Sequence, residues 1–434
     1  MHFGVHAQLL CLRQLLQATT KRELQYDAEG NCKDNVRVVS CCTFTSVKAR
    51  RLRFAGYAGV NKGGAMIGSH VRAFRCRACG YCCYRNKVWD SYLEVDDATF
   101  EKLARAGMAD VTGKIATGPN QVKQLQCTGN HCSFLNKSNL CEINLQYGYE
   151  YLPDACKTYP RIIGVTPRGI EISLIFVCRE AIKTIISQNK IVFSEEKPAG
   201  LIYPNSYHYE LSSTDEYDLQ RIQQYFEFLP NAISGLQNRC LPFKHRLRTL
   251  GEDSLRMSDY VEPINSSEPS LQAALGILHE IMISRTYEET NDYTGQYCDN
   301  LRKIRSLIDD KVISLTAFQT SKEMFIVREY DKYAYIVENY AVNFMTTNIY
   351  FFNGSVFGYT MLLMLLSSIQ LFMAGYAAFY RRTLDEEIII LAIQSVDTAF
   401  FGHINWFSNK ITDVIKQHGM HNSIKMAAVL GQVL

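Results

Sequence analysis

Apolar residues in the second half of the chain recur with the spacing of α-helices. In each of four segments they fall on one face, which predicts amphipathic helices that bury this face. The four segments are 217–229, 269–285, 298–319 and 323–347. Residues 191–434 are therefore interpreted as a mostly helical domain, without an evident internal repeat.

Prolines and capping residues predict where these helices end. Pro230 and Pro242 are expected to break the helical pattern, because proline has no backbone N–H to donate. Thr383 and Glu386 have the spacing of a capping box, in which each side chain bonds to a free backbone group of the first turn. This box precedes the apolar run 388–400 and predicts a helix there.

Residues 71–190 show shorter and more varied patterns. Asp96 is a candidate N-cap for a helix over residues 97–106. Residues 170–177 predict a strand, and residues 179–188 predict a short helix. The predicted fold class is mainly α, with a small irregular α+β domain over 71–190 followed by the larger helical domain.

One apolar stretch has two interpretations. Residues 345–380 contain no charged side chain, and residues 360–379 are long enough to span a bilayer. Polar residues such as Gln370 interrupt the run, and a helix buried in a large bundle has the same composition. The buried helix is the preferred interpretation, with peripheral association at a membrane as the alternative.

Charge is unevenly distributed along the chain. The net charge is +3, but residues 1–75 carry twelve Lys and Arg against four Asp and Glu. Such a basic segment can contact anionic partners. Residues 1–70 lack clear periodicity, however, and are interpreted as a flexible extension or a misassigned start, so no nucleic-acid partner is expected. The first residues lack a signal-peptide pattern, which argues against a secreted protein rich in disulfides.

Cysteines are concentrated in the predicted α+β domain. Nine of the fifteen lie between Cys76 and Cys178, and four of these occur within the run FRCRACGYCCY. Free cysteines are usually buried singly, and disulfide-rich chains are usually short and secreted. Four thiols within eight residues instead favour a metal ion or an inorganic cluster. The candidates are Cys76, Cys79, Cys82, Cys83, Cys127, Cys132, Cys141, Cys156 and Cys178.

The spacing favours an iron–sulfur cluster over zinc. The C-x2-C-x2-C start is typical of bacterial ferredoxins, although their fourth ligand motif is missing, so a ligand from farther along the chain is needed. Zinc remains the alternative, since it also binds four thiolates. Arg161, in the segment DACKTYPR, is a candidate to bind a cofactor carboxylate or to offset the negative charge of a thiolate cluster.

These motifs resemble a known family. FRCRACGYCC is similar to the CxxCxxCC signature of the zinc- or iron-chelating domain family. The segments from CSFLNKSNLCEI to SLIFVCREAIKTI, and ENYAVNFMTTNIYFF near the C-terminus, resemble its flagellin lysine N-methylase branch. The first cysteines are spaced more tightly than in that branch. The resemblance covers about residues 71–402 and implies eight metal ligands: Cys76, Cys79, Cys82, Cys83, Cys132, Cys141, Cys156 and Cys178.

The resemblance implies an enzyme. It implies transfer of a methyl group from S-adenosylmethionine to lysine side chains of flagellin, in the cytosol, with a [4Fe–4S] cluster needed for activity. The sequence contains no glycine-rich nucleotide-binding loop of the Rossmann type and does not identify catalytic residues. Asp154 and Glu142 are candidates to assist deprotonation of the lysine. The alternatives are a non-catalytic zinc- or iron-chelating protein and an electron-transfer protein.

Overall fold

The computed structural model describes most of the chain beyond residue 64. The described residues are 65–85, 93–108, 110–118, 121–128, 131–166, 169–203, 208–210, 216–257, 278, 315–347, 355–401, 431 and 433–434. Within them a small α+β region precedes a helical region, which confirms the predicted fold class. The predicted helices at 269–285 and, for the most part, 298–319 lie outside the described residues.

One mixed sheet organises the first half of the fold. The strands are β1 (Ala65–Gly68), β2 (Ile115–Thr117), β3 (Lys123–Leu125), β4 (Cys127–Thr128), β5 (His131–Cys132), β6 (Arg161–Thr166), β7 (Gly169–Leu174), β8 (Phe193–Glu196) and β9 (His208–Glu210). The sheet order is β8-β1-β7-β6-β9, in which β1 is parallel to β7 and β6 is antiparallel to β7. The pairs β2–β3 and β4–β5 form separate two-stranded sheets within the cysteine region.

Helices surround this sheet and form the second half of the fold. They are α1 (Ser69–Ala73), α2 (Asp97–Arg105), α3 (Val111–Lys114), α4 (Glu142–Gln146), α5 (Asp154–Thr158), α6 (Arg179–Ile186), α7 (Glu216–Leu236), α8 (Phe243–Arg256), α9 (Leu315–Ser321), α10 (Val327–Met345), α11 (Ser355–Tyr380) and α12 (Glu386–Phe401). Asp96 caps α2 by accepting a hydrogen bond from the Thr99 N–H at 2.8 Å, as predicted.

The helical region and the sheet share one apolar core. Ile67 of β1 and Ile172 of β7 belong to the same buried cluster as Phe372 of α11. A smaller core, which includes Leu103 and Phe134, lies beneath the cysteine loops. The predicted boundary at residue 190 therefore divides a continuous sheet and core, since β8 and β9 follow it. Residues 65–70, predicted to belong to the flexible extension, are part of the fold because β1 lies inside the sheet.

The long apolar helix α11 is buried. By length and composition it is the one helix among the described residues that could cross a membrane, and 89% of its most apolar window lies inside the fold. It packs against α8, α9 and α12, so the other helices cover its apolar surface. This packing corresponds to the preferred sequence interpretation.

Two predicted boundaries are wrong. Pro230 does not end its helix, because α7 continues to Leu236 and buries Leu229 and Leu236. This burial outweighs the hydrogen bond that proline cannot donate. At α12, Asp385 rather than Thr383 provides the cap, by accepting the Ile388 N–H at 2.9 Å.

A buried histidine links α1 to the helical region. His70 is fully buried, and its Nε2 lies 2.8 Å from Oδ1 of Asn343, so that nitrogen carries the proton. The amide of Asn343 also bonds to both backbone groups of Leu174 in β7, at 2.8 and 3.0 Å. Burial lowers the pKa of His70 from 6.5 to about 4, although the bond to Asn343 acts in the opposite direction.

We expect acid to destabilise the protein through His70. The pKa of His70 is lower in the folded than in the unfolded chain, so folding favours its neutral form. This contribution to stability is fully present above pH 6.5 and is lost as the pH falls towards 4. The expected loss is about 3 kcal/mol in the free energy of unfolding. Urea unfolding of wild type and His70→Gln across this range measures it. Equal pH dependence in both proteins would contradict the prediction.

Candidate metal centre

The segment that carries the first cysteines is folded back on itself. Ala78 (φ 56°) and Gly80 (φ +68°) both adopt left-handed conformations, which reverse the chain between Cys79 and the following turn. A 3₁₀ turn over Tyr81–Arg85 then carries Cys82 and Cys83. The Cys83 N–H bonds to the Gly80 carbonyl at 2.9 Å. The cysteines of this run therefore face several directions from one compact loop.

A second arm brings Cys132 and Cys141 to this loop. Cys132 lies in β5, and Cys141 immediately precedes α4. The Cys141 N–H donates to the Ala78 carbonyl at 3.2 Å, which joins the two arms through the backbone. The Asn144 side chain lies 3.7 Å from the sulfur of Cys76. Two stretches about 60 residues apart in sequence are thus packed against each other.

Gly80 permits this close approach. A Cβ at this position would overlap the Asn139 carbonyl oxygen and the Leu135 side chain. Gly107 has a similar backbone conformation (φ +71°), but a Cβ there would meet nothing within 4 Å. Comparing alanine substitutions at the two glycines therefore separates the effect of the close contact, present only at Gly80, from the effect of backbone strain, present at both.

We expect Gly80→Ala to separate the two cysteine arms. Gly107→Ala should cost about 1 kcal/mol of stability through strain alone. Gly80→Ala should cost more and should also lower the amount of metal bound per chain. Thermal unfolding and metal analysis of both variants measure these effects. Full metal content in Gly80→Ala would show that the contact does not position the thiols.

A third arm carries Cys156 and Cys178. Cys156 lies in α5, and Cys178 occupies the N-cap position of α6. The Cys178 carbonyl accepts the Ala181 and Ile182 N–H groups at 3.0 and 3.2 Å. A helix N-terminus stabilises negative charge, and both Cys178 and Cys141 lie at such a position. At Cys178, however, burial outweighs this effect and raises the pKa of the thiol.

Helix α12 fixes the segment that contains Cys178. A carboxylate oxygen of Asp397 accepts the Phe176 N–H at 2.6 Å, and the Gln394 amide donates to the Val177 carbonyl at 3.0 Å. Arg179 forms a bidentate pair with Glu387, with one contact at 2.8 Å. The C-terminal helices are therefore directly involved in positioning a candidate ligand.

The thiol of Cys83 connects the first two arms. Hydrogen bonds with the sulfurs of Cys132, Cys141 and Cys82 raise the pKa of Cys83 well above the usual value, and the bond with Cys132 has the largest effect. The bond to Cys83 lowers the pKa of Cys141 to about 7, although burial opposes it. The arms thus meet at their sulfur atoms and not only through their backbones.

The other candidate thiols lie within electrostatic reach of Cys82. The pKa of Cys76 is raised to about 11, mainly by burial and in part by the neighbouring Cys82 and Cys79. Burial also raises the pKa of Cys156 and Cys178, and for each of them Cys82 is the largest neighbouring charge. Several thiolates in this space repel one another, so a stable deprotonated state requires a cation among them.

This donor set fits a metal that prefers sulfur. Zinc and iron–sulfur clusters both bind clustered thiolates. Within the described ranges, no group of three or more Cys, His, Asp and Glu side chains is already arranged to hold a metal ion. Protonated thiols hydrogen-bond to one another and do not converge on a shared point. Side-chain rotation on the same backbone can redirect them once they lose their protons.

The other sequence candidates have different surroundings. Arg161 is buried, with its guanidinium 5.2 Å from the ring centre of Phe74, and it donates to the Lys157 carbonyl at 3.0 Å. Its cofactor role stays a prediction. Asp154 forms an ion pair with Lys157 at 3.4 Å, and Glu142 forms one with Lys114 at 2.7 Å. Both acids are thus already neutralised by a lysine.

Cys127 lies next to the candidate metal site, although it is not one of the eight cysteines that match the family pattern. It lies directly opposite Cys132 in the β4–β5 pair. Side chains of directly opposed residues lie on the same face of a two-stranded sheet. Cys127 is therefore a neighbour of the predicted ligand set, and its replacement tests where that set ends.

A cavity of about 420 Å³ adjoins the first cysteine arm. Cys79, Tyr81 and Glu180 line it on the side of the cysteine region, and Tyr380 and Leu391 line it on the side of the helical region. Cavities of this size commonly hold small molecules and cofactors. Sequence analysis did not identify it, because its walls come from three distant parts of the chain.

Comparison with known families matches two parts of the chain. Residues 75–184 match the family described as Putative zinc- or iron-chelating domain, with the CxxCxxCC signature. Residues 252–429 match the FliB lysine N-methylase C-terminal domain. No curated protein and no solved structure matches the chain.

Fold and site together define a cysteine-rich α+β region, similar to a zinc- or iron-chelating domain, whose sheet shares its core with a helical region. The family matches confirm the resemblance seen in the sequence. The two matched regions thus have similarity to a lysine N-methylase domain and to a zinc- or iron-chelating domain.

Proposed function

We propose that this protein is a cytoplasmic protein-lysine N-methyltransferase that uses S-adenosylmethionine and acts on flagellin. We further propose that its clustered cysteines hold a [4Fe–4S] cluster. The observation that carries the proposal is the direct junction of the two matched domains. Helix α12 of the methylase domain contacts the segment around Cys178 at Phe176, Val177 and Arg179.

The cysteine set supports a cluster more than a single zinc ion. Zinc requires four ligands, whereas eight candidate thiols lie in the three arms. The family pattern contains no histidine ligand, and thiolates are the usual ligands of iron–sulfur clusters. When bound, a cluster with an iron not fully ligated by protein supplies a position that can bind the amino and carboxylate groups of a cofactor.

The proposed reaction is a nucleophilic substitution at the methyl carbon. The unprotonated nitrogen of the acceptor lysine forms the new C–N bond, while the C–S bond breaks and its electron pair stays on sulfur. The products are methyllysine, S-adenosylhomocysteine and one proton. No oxidant or reductant is consumed. The protein must hold both substrates in line and remove a proton from the lysine.

Residues of this chain are available for these tasks. The Glu180 side chain is 13% exposed and lines the cavity beside Cys79, so a carboxylate is present near the proposed cofactor position. Lys183 contacts it at 2.6 Å and Arg77 at 3.4 Å. Glu180 lines the cavity whereas Asp154 and Glu142 do not, so we add it as a candidate to assist deprotonation of the lysine, although like them it is paired with a basic side chain.

The test is methyl transfer by anaerobically purified protein. Unmodified flagellin is incubated with S-adenosylmethionine that carries a labelled methyl group, and lysines are examined for the label. The proposal predicts that wild-type protein transfers the label to lysine and that the Cys82→Ser variant transfers none. Absence of label with a full complement of metal would refute the enzymatic proposal.

The same experiment separates the enzyme from its alternatives. A colourless protein with stoichiometric zinc and no label indicates a chelating protein. A coloured protein with iron and sulfide but no label indicates electron transfer. The shared core between the cysteine region and the methylase domain favours the enzyme, since a minimal carrier has no need of so large a helical partner.

A further inference from the structure

The cavity beside Cys79 joins the two matched domains. Cys79, Tyr81, Arg179 and Glu180 come from the chelating domain, and the remaining lining residues come from the methylase domain. The cavity thus directly contacts Cys79, a candidate metal ligand. The chemistry of its lining residues therefore indicates which chemical groups a ligand beside the metal centre carries.

One face of α12 forms a wall of the cavity. Glu387, Ile388, Leu391 and Gln394 recur with helical spacing and share this face. Ile388 is buried, whereas Leu391 is half-buried and accessible from the cavity. The wall thus offers an apolar strip with a carboxylate at one end and an amide at the other.

Charges of both signs line the opening. Arg179 and Arg382 supply two guanidinium groups, and Glu180 and Glu387 supply two carboxylates. Arg179 pairs with Glu387, and Arg382 pairs with Asp385 beside the cavity. A ligand that carries both an ammonium and a carboxylate group can exchange with such pairs without leaving a charge unpaired.

Aromatic rings complete the lining. Tyr81 lies on one side, and Tyr380 on the other. The ring of Tyr380 is stacked on Tyr376 with an interplanar angle of 18° and meets Phe379 edge-on at 5.0 Å. Rings held in this way can stack on a planar base and can attract a cationic group.

The lining residues argue against an alternative occupant. Two arginines and two glutamates line the cavity, so its charge alone does not separate the cofactor from the acceptor lysine of a protein substrate. The lysine, however, has no carboxylate for Arg179 or Arg382 and no planar group for Tyr81 or Tyr380. The lining therefore fits the cofactor better than the lysine that receives its methyl group.

We propose that this cavity binds S-adenosylmethionine. Its zwitterionic methionyl end lies among the charged residues beside Cys79, and its adenine lies against the tyrosines and the Leu391 strip. This inference rests on the proposed methyltransferase function. It assigns the cofactor pocket to the junction between the two matched domains, beside Cys79 of the candidate metal centre.

The test is calorimetric titration of S-adenosylmethionine into the full chain, purified anaerobically and without acceptor protein. Leu391→Trp fills the cavity, and the exposed Leu241 receives the same change as a control. Arg382→Gln removes a lining charge, and its neighbour Arg381, which does not line the cavity, serves as the matched control. Both lining variants should weaken binding about 10-fold or more, and both controls should bind like wild type.

The outcomes distinguish the two proposals. Unchanged affinity in Arg382→Gln and in a folded, metal-loaded Leu391→Trp would overturn the pocket assignment and leave the methyltransferase proposal standing. Failure of fully metal-loaded wild type to bind S-adenosylmethionine would overturn both. Metal content and circular dichroism of each variant separate loss of the pocket from loss of the fold, and the exposed Arg382 keeps the test valid if Leu391→Trp does not fold.

Discussion

Replacement of Cys82 by serine is expected to abolish stable metal binding. Cys82 contacts Cys83 and lies within electrostatic reach of Cys76 in the first arm and of Cys156 and Cys178 in the third. A serine hydroxyl is nearly isosteric with the thiol but does not ligate zinc or iron–sulfur clusters as a thiolate does. Metal affinity should fall by about 100-fold or more, since even outer residues of metal sites contribute 10- to 100-fold.

Two other cysteines serve as controls for this prediction. Cys240 is exposed and lies outside the cysteine region, so Cys240→Ser should retain all metal. Cys127→Ser should also retain it if the family pattern gives the full ligand set. Metal analysis of the purified variants decides the question. Equal metal content in Cys82→Ser and Cys240→Ser would contradict a centre built around Cys82.

Replacement of Glu338 by alanine should cause the largest loss of stability. Its carboxylate is 1% exposed and accepts from Arg246 at 2.5 Å and from Arg239 at 2.8 Å. Arg246 is itself buried, so removal of Glu338 leaves a buried guanidinium without its counter-ion. Breaking a buried pair in this way costs about 3–5 kcal/mol.

This ion cluster also supports the far end of α6. Arg239 donates to the side chain of Asn189 at 2.6 Å, just beyond the helix that begins after Cys178. Urea unfolding measures the effect of Glu338→Ala. The control is Glu101→Ala, which removes an exposed pair with Arg105 and should change stability by less than about 1 kcal/mol. A loss no larger than that of the control would contradict the prediction.

Local sequence signals predicted elements well where the deciding contacts are local. The Asp96 cap, the helical periodicity of α10 and the density of cysteines depend on neighbours within a few residues. Pro230 and Thr383 were misjudged because remote packing and a nearer carboxylate, Asp385, determine those helix boundaries. For α11, composition alone did not distinguish a buried helix from a spanning one, since other helices supply its apolar environment.

The site divides in the same way. Cysteine density identified the candidate ligands, but their meeting depends on the left-handed Ala78 and on the tight contact at Gly80. The sequence does not predict the left-handed conformation of Ala78, because alanine seldom adopts it. The cavity left no local signal, because residues near 80, 180 and 390 meet only in the folded chain. Glu180 was overlooked although it follows Cys178 by two positions.

The most direct test of this account is the amount of iron, zinc and acid-labile sulfide bound per chain after anaerobic purification. If the three cysteine arms surround one inorganic centre, wild type should contain stoichiometric iron and sulfide, and Cys82→Ser should contain neither. Wild-type protein free of iron and zinc, with all of its cysteines reacting as ordinary thiols, would contradict the existence of the centre.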